Sequence, residues 1–259
     1  MPIDHEVTRE VWEAKIPVEF VLRDDDMLVS KPKPYYVLLS RISYFPLVLE
    51  KVKKYLLNFM DSADTEELWL EYEGFPIKWH NPIGLLYDVL KRDETLPWEI
   101  GIRLKKFPAE EVIRLPSIEA LESIFIQSLK EADQLKHRGE VMSGMTARDH
   151  RQLWNSLATE RYDQFWAVNA RLMEPNGDEP FYALPIRIYR TDGGFVQRLW
   201  RAVDGDGNRR RLEELAPDMN CEWRSHGIAL PPETPLLWLA TNLAYPDGFV
   251  YLVQSFHNQ

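Results

Sequence analysis

Apolar positions recur along this chain with two periods, and the changes of period mark its elements. In "IPVEFVL" (16–22) and "PYYVLLS" (34–40), β-branched and aromatic residues fill two short runs split by an acidic, proline-containing connector, which predicts a strand pair. Across "YFPLVLEKVKKYLLNFM" (44–60) the step lengthens to three and four. Leu49, Val52, Leu56, Phe59 and Met60 share one side there, and Pro46 stands where a first helical turn accepts it. "LWLEYEGFPIKW" (68–79) alternates around Gly74, "PIGLLYDVL" (82–90) is a short apolar helix, and "PWEIGIRL" (97–104) alternates again. The predicted order is strand, strand, helix, strand, short helix, strand.

The end of the chain repeats this order more briefly. "FYALPIRIYR" (181–190) and "GFVQRLWRAV" (194–203) are strand-like around a Gly-Gly turn, and "NRRRLEELAP" (208–217) is a short helix closed by proline. In "TPLLWLATNLAYPDGFVYLVQ" (234–254) a short apolar helix, a proline and an alternating run parallel residues 82–104, an internal repeat of element order. Two strands, a helix across them and further strands make the ubiquitin-like α+β grasp. Between the copies the texture is helical. Ser117 caps a helix over 117–138 with Gly139 just past its end, Thr146 and Asp149 stand at capping-box spacing before 146–157, and 160–173 carries Phe165, Trp166, Asn169 and Leu172 on one side. A short N-terminal helix (5–13) with Val7, Val11 and Trp12 must dock on the body to be stable. The domains expected are 1–14, an N-terminal helix; 15–107, ubiquitin-like; 115–175, helix-rich; and 180–257, ubiquitin-like again.

Composition narrows the function classes. The 259 residues carry 31 Lys+Arg against 41 Asp+Glu, and a net charge of -10 excludes nucleic acid as the principal partner. One cysteine, Cys221, and no apolar N-terminal leader point to a reducing, cytoplasmic setting. No run of eighteen apolar residues spans a membrane, so membrane contact is expected to be peripheral. The six histidines are scattered away from ligand spacing, and neither GxGxxG nor GxxxxGK[ST] occurs, so no metal or cofactor is expected. Cys221 lies in a short loop read over 217–225, and catalysis by a lone loop cysteine is the weaker reading. Against the acidic whole, the second copy is locally basic. Arg198, Arg201, Arg209, Arg210 and Arg211 form a candidate surface for anionic lipid, weighed against a charge-protected sheet edge, which is the stronger reading.

Helical geometry turns Lys130 outward. At about 100° per residue, Ile118, Leu121, Phe125, Leu129, Ala132 and Leu135 gather on one side of the long helix, and Lys130 falls half a turn away. Ile126, Gln134 and His137 share its outer strip. Periodicity alone does not set Lys130 above Lys136 or Lys105; most such lysines are only solvated.

The segments "VWEAKIPVEFVL", "LWLEYEGFPIKWHNPIGLLYDVL", "LPWEIGIRLKKFP", "LKEADQLKH", "DHRQLWNSLATERYDQFWAVNARLM", "LPIRIY" and "HGIALPPETPLLWLATNLAYPDGFVYL" span nearly the whole chain in order. Through them it resembles the autophagy protein five family, the acceptor joined by an isopeptide bond to the ubiquitin-like autophagy protein twelve. The resemblance implies two ubiquitin-like domains flanking a helix-rich one, an acceptor lysine at Lys130, and a ligase-like role without catalysis of its own. It also implies a groove, with Val7, Val11 and Trp12 on its N-terminal helix, for a helix of the coiled-coil autophagy protein sixteen. The complex it implies promotes transfer of the ubiquitin-like autophagy protein eight from its carrier enzyme to phosphatidylethanolamine on the forming autophagosome.

An acceptor must offer a neutral amine to a thioester, while a free lysine titrates near about 10.4. Glu131 and Asp133 favour the charged amine, so activation is expected from a carrier enzyme docked over Ile126, Gln134 and His137. The chain ends "SFHNQ", without the terminal glycine that a modifier would activate. The rival reading is a ubiquitin-like adaptor that binds partners or membrane without being covalently modified.

Overall fold

The computed structural model describes residues 2–23, 32–59, 67–91, 93, 95–115, 117–175, 181–190, 194–216 and 221–256. They form two compact units, Ala14–Leu121, and Met1–Glu13 together with Glu122–Gln259. The N-terminal helix α1 (His5–Glu13) belongs to the second of these.

The first unit holds strands β1 (Lys15–Leu22) and β2 (Tyr35–Ser40), helix α2 (Phe45–Leu56), strands β3 (Trp69–Tyr72) and β4 (Phe75–Pro76), helix α3 (Ile83–Leu90) and strand β5 (Trp98–Arg103). Its sheet runs β2-β1-β5-β3-β4, with β1 and β5 parallel and the other pairs antiparallel. Period-two alternation turns Ile16, Val18, Phe20 and Leu22 into the core. Phe45, Leu49, Val52 and Leu56 of α2 cover them, and the ring of Trp98 packs 5.9 Å from Phe45 and 5.3 Å from Tyr87. The β3–β4 hairpin turns on Glu73 and Gly74, both at positive φ (51° and 84°), as a two-residue loop matched to strand twist requires. Helix α2 stops earlier than its periodicity predicts. The Asn58 amide folds back onto the carbonyls of Lys54 and Tyr55 and closes the last turn, leaving Phe59 exposed. Met60 lies outside the described residues.

In the second unit, helix α4 (Ile118–His137), which enters this unit at Glu122, is followed by α5 (Glu140–Gly144), α6 (Ala147–Ala158) and α7 (Tyr162–Met173). The Gly139 N–H bonds the Asp133 carbonyl at 3.3 Å, with Arg138 and Gly139 at φ 55° and 85°, so the helix ends at the glycine that the sequence marks. Thr146 and Asp149 make the expected capping box on α6. Strands β6 (Ile186–Arg190), β7 (Phe195–Gln197), β8 (Cys221–Ser225), β9 (Ile228–Leu230) and β10 (Val250–Phe256) follow, with α8 (Leu236–Asn242) before the last. Their order, β7-β6-β10-β8-β9 with β6 and β10 parallel, repeats the first sheet strand for strand. Even the β8–β9 hairpin reuses a positive-φ pair, His226 (52°) and Gly227 (80°).

Three local expectations change. The helix expected over 208–217 is a 3-10 turn, Leu212–Leu215, and the strand expected over 194–203 is the three-residue β7 followed by irregular chain. The loop read over 217–225 is in part strand: β10 and β9 pair with Cys221–Ser225 on its two sides, and 217–220 lie outside the described residues. The architecture is α+β, two ubiquitin-like domains flanking a helix-rich segment in chain order, with an N-terminal helix.

Candidate modification site

Helix α4 presents Lys130 to solvent while burying Phe125, Leu129 and Ala132. Among the described residues Lys130 makes no hydrogen bond or ion pair, because its i±3 and i±4 neighbours Ile126, Gln127 and Gln134 are neutral and Asp133 points inward. The two carboxylates that the sequence sets beside it are engaged elsewhere. Asp133 is buried; its Oδ1 lies 2.8 Å from His137 Nδ1 and its Oδ2 accepts from the Met142 N–H at 2.9 Å. Glu131 accepts from Gln127 Nε2 at 3.3 Å and from Arg187 Nη2 at 3.2 Å.

The second lysine of the "LKEADQLKH" segment is placed oppositely. Lys136 is 3% exposed, and its Nζ donates to the carbonyls of Leu172 and Ala240, each at 3.2 Å, with Met173 Sδ at 3.0 Å. Burial pulls this amine down to about 7, partly opposed by the charge of Asp133. Burial thus makes its amine easier to deprotonate, yet no incoming carbonyl can reach it.

Of the outer strip predicted around Lys130, Gln134 is exposed and Ile126 half-buried. His137 departs from the expectation: it is buried and unavailable for docking. The chain returning after α7 covers the last turn of α4, where His137 Nε2 lies 2.9 Å from the Glu174 carbonyl and the Phe181 ring stands edge-on at 5.2 Å. Tyr182 and Ala183 then donate their N–H groups to the Lys136 and Leu135 carbonyls, satisfying the open helix end.

Val7, Val11 and Trp12, expected on the N-terminal helix beside a partner groove, pack on this unit to different depths. Val11 and Trp12 are buried and Val7 is half-buried in this unit's own core. The Trp12 ring packs 4.8 Å from Phe165 and 5.9 Å from Tyr162, and its Nε1 donates to the Glu160 carbonyl at 3.4 Å. A nine-residue helix has no other way to bury its apolar stripe. Arg198, Arg201, Arg209 and Arg211 are exposed; Arg210 is half-buried against Glu214 at 3.5 Å, and Arg211 lies 4.0 Å from Glu213. Cys221 accepts from Gln254 Nε2 at 3.3 Å, a strand residue beside a structural neighbour. Among the described residues no helix is long and apolar enough to cross a membrane.

The family models for autophagy protein ATG5 match this chain in three consecutive parts: the UblA domain over residues 11–104, the alpha-helical bundle region over 118–175 and the UblB domain over 183–253. Autophagy protein 5 of Drosophila melanogaster is 43% identical, with 97% of each chain covered. Autophagy-related protein 5 of Caenorhabditis elegans is 32% identical over 97% of this chain and 98% of its own. The crystal structure of Kluyveromyces marxianus Atg5 superposes with a TM-score of 0.84 at 20% identity, covering 97% of this chain and all of that one, which shows the shared fold. Three matched domains in sequence and near-complete coverage by relatives place the chain in the autophagy protein ATG5 family, among the proteins of autophagy.

Proposed function

We propose that the chain is a non-catalytic acceptor and scaffold, joined through Lys130 to the C-terminal carboxyl of a ubiquitin-like modifier delivered by a carrier enzyme. With a coiled-coil partner, the conjugate acts as a ligase-like complex that promotes lipidation of a second ubiquitin-like protein on the forming autophagosome membrane, to which this otherwise cytoplasmic protein attaches peripherally. The observation that carries the reading is the contrast within one segment. Lys130 is exposed and unpaired, whereas Lys136, whose burial favours the neutral amine, is enclosed by backbone carbonyls. Access outweighs intrinsic reactivity here, because a thioester carbonyl must come within bonding distance of the nitrogen. Gln134 and Ile126 supply a neutral surface beside the amine on which a carrier enzyme would dock.

The test is tryptic mass spectrometry of the protein from its own cells, with a Lys130→Arg variant compared on a gel. A branched peptide at Lys130, and loss of the heavier band in the variant, is the expected result. A heavier band that survives the substitution would overturn it and leave an unmodified ubiquitin-like adaptor as the function.

A further inference from the structure

β2 ends the strand order of the first sheet, and its pairing with β1 fixes which of its backbone groups face away from that sheet. The Arg41 N–H donates to the Ala14 carbonyl at 3.0 Å, one step beyond the Lys15–Ser40 pair. Hydrogen-bonded pairs then fall at every second residue: Ile16 with Leu39, Val18 with Val37, Phe20 with Tyr35. Tyr36 and Leu38 therefore turn N–H and C=O to the open edge, and Pro17, opposite Leu38, has no N–H to offer. The strand, "YYVLLS", contains neither charge nor proline, the devices that ordinarily shield an edge.

Apolar surface flanks that edge on both faces. Tyr36 and Leu38, each 63% exposed, stand on the outer face. On the core face Tyr35 and Val37 are half-buried, as are Val48 and Tyr55 of α2, and the Tyr35 and Tyr55 rings lie 5.3 Å apart. Lysines border this strip. Tyr55 Oη donates to the Lys33 carbonyl at 2.7 Å, Lys51 stands three residues after Val48 and four before Tyr55, and Lys54 follows three further on. All three are exposed, and among the described residues none makes an ion pair, on a chain whose net charge is -10.

We propose that β2 is a docking edge for an extended apolar segment of a partner protein, flanked by acidic residues and added as a further strand beside Tyr36 and Leu38. The outward N–H and C=O groups of those two residues hold the partner's main chain, which any extended sequence can satisfy. Selection comes from side chains. Alternate residues of an added strand fall on opposite faces, one set beside Tyr36 and Leu38 and the other beside Tyr35, Val37, Val48 and Tyr55, so both sets are apolar. Lys33, Lys51 and Lys54 then favour carboxylates at the ends of the segment and disfavour lysines there. The proposal does not involve Lys130, so each of the two readings can fail without the other.

The experiment follows amide hydrogen exchange in the full chain by NMR, with a synthetic peptide, Val-Ile-Val-Ile-Val between paired glutamates, and the same peptide between paired lysines. At about 1 mM the glutamate peptide should slow exchange at Tyr36 and Leu38 by about tenfold, and the lysine peptide by much less. Leu38→Pro deletes one outward N–H while sparing the ladder to β1, and should abolish binding. Lys51→Glu combined with Lys54→Glu should weaken binding by about three- to tenfold, and decides the matter should the proline variant fail to fold. Exchange unchanged at both amides, equal slowing by the two peptides, or full binding to the variants overturns the proposal. Protection that grows with protein concentration in the absence of peptide overturns it too, by assigning the edge to a second copy of the chain.

Discussion

The Lys136 ammonium nitrogen of α4 lies 3.2 Å from the Ala240 carbonyl of α8, a charge from the helical segment bonded to a helix of the second ubiquitin-like domain. Its native pKa, near 7, lies below the ordinary lysine value of 10.5. Between those values the unfolded chain binds a proton that the native state lacks, so this group's contribution makes stability rise with pH across the window; below 7 the full penalty for the buried charge is present. Urea unfolding at pH 7 and pH 9 should show that gain in the unaltered chain and a smaller one in Lys136→Met. Equal pH slopes would mean that the amine is hydrated.

Trp12 joins the N-terminal helix to α7 through Phe165 and Tyr162. Truncation to alanine removes a buried indole and should cost about 3–5 kcal/mol. A denaturation midpoint unchanged by Trp12→Ala would show that α1 is not docked in solution.

Gly248 and Gly74 share a left-handed φ, 86° and 84°, but differ in surroundings. An added Cβ at Gly74 meets nothing within 4 Å, so Gly74→Ala carries only the backbone penalty of about 1–2 kcal/mol. Gly248→Ala must also displace Ala132, and a larger loss than at Gly74 is the expected result. Thermal unfolding of the two variants makes the comparison.

Four exposed arginines, Arg198, Arg201, Arg209 and Arg211, share a stretch of chain with exposed Phe195, Leu199 and Val203. If this face meets anionic headgroups, changing all four to glutamate should lower flotation with phosphatidylserine vesicles by more than about tenfold. Flotation that is absent in both proteins, or equal, assigns the arginines to protection of the β7 edge.

Elements were legible wherever one period dominated. β1, α2 and α6 announce themselves through alternation, a three-four step and the Thr146–Asp149 cap. β8 did not: "CEWRS" has one large apolar residue, Trp223, and owes its strand conformation to β9 and β10 on either side. Helical geometry alone puts Lys130 and His137 on one outer face, yet the first is exposed and the second buried. Seven residues on, the strip runs beneath Glu174 and Phe181, which come from chain far along the sequence. A signal was present in "DQLKH", where Asp133, Lys136 and His137 fall at i, i+3 and i+4, the spacing of groups able to satisfy one another. Arg187 gave none, since only tertiary packing brings β6 to Glu131.

In both sheets the last strand is the middle one. β5 lies between β1 and β3, and β10 between β6 and β8, so each sheet stays divided until its final segment has been synthesised. On the ribosome the first domain must wait for Trp98–Arg103 and the second for Val250–Phe256, holding exposed strand edges in the meantime. A nascent chain that stalls just short of residue 250 would therefore carry its second sheet split at the centre, with β6 and β8 both lacking the strand that joins them.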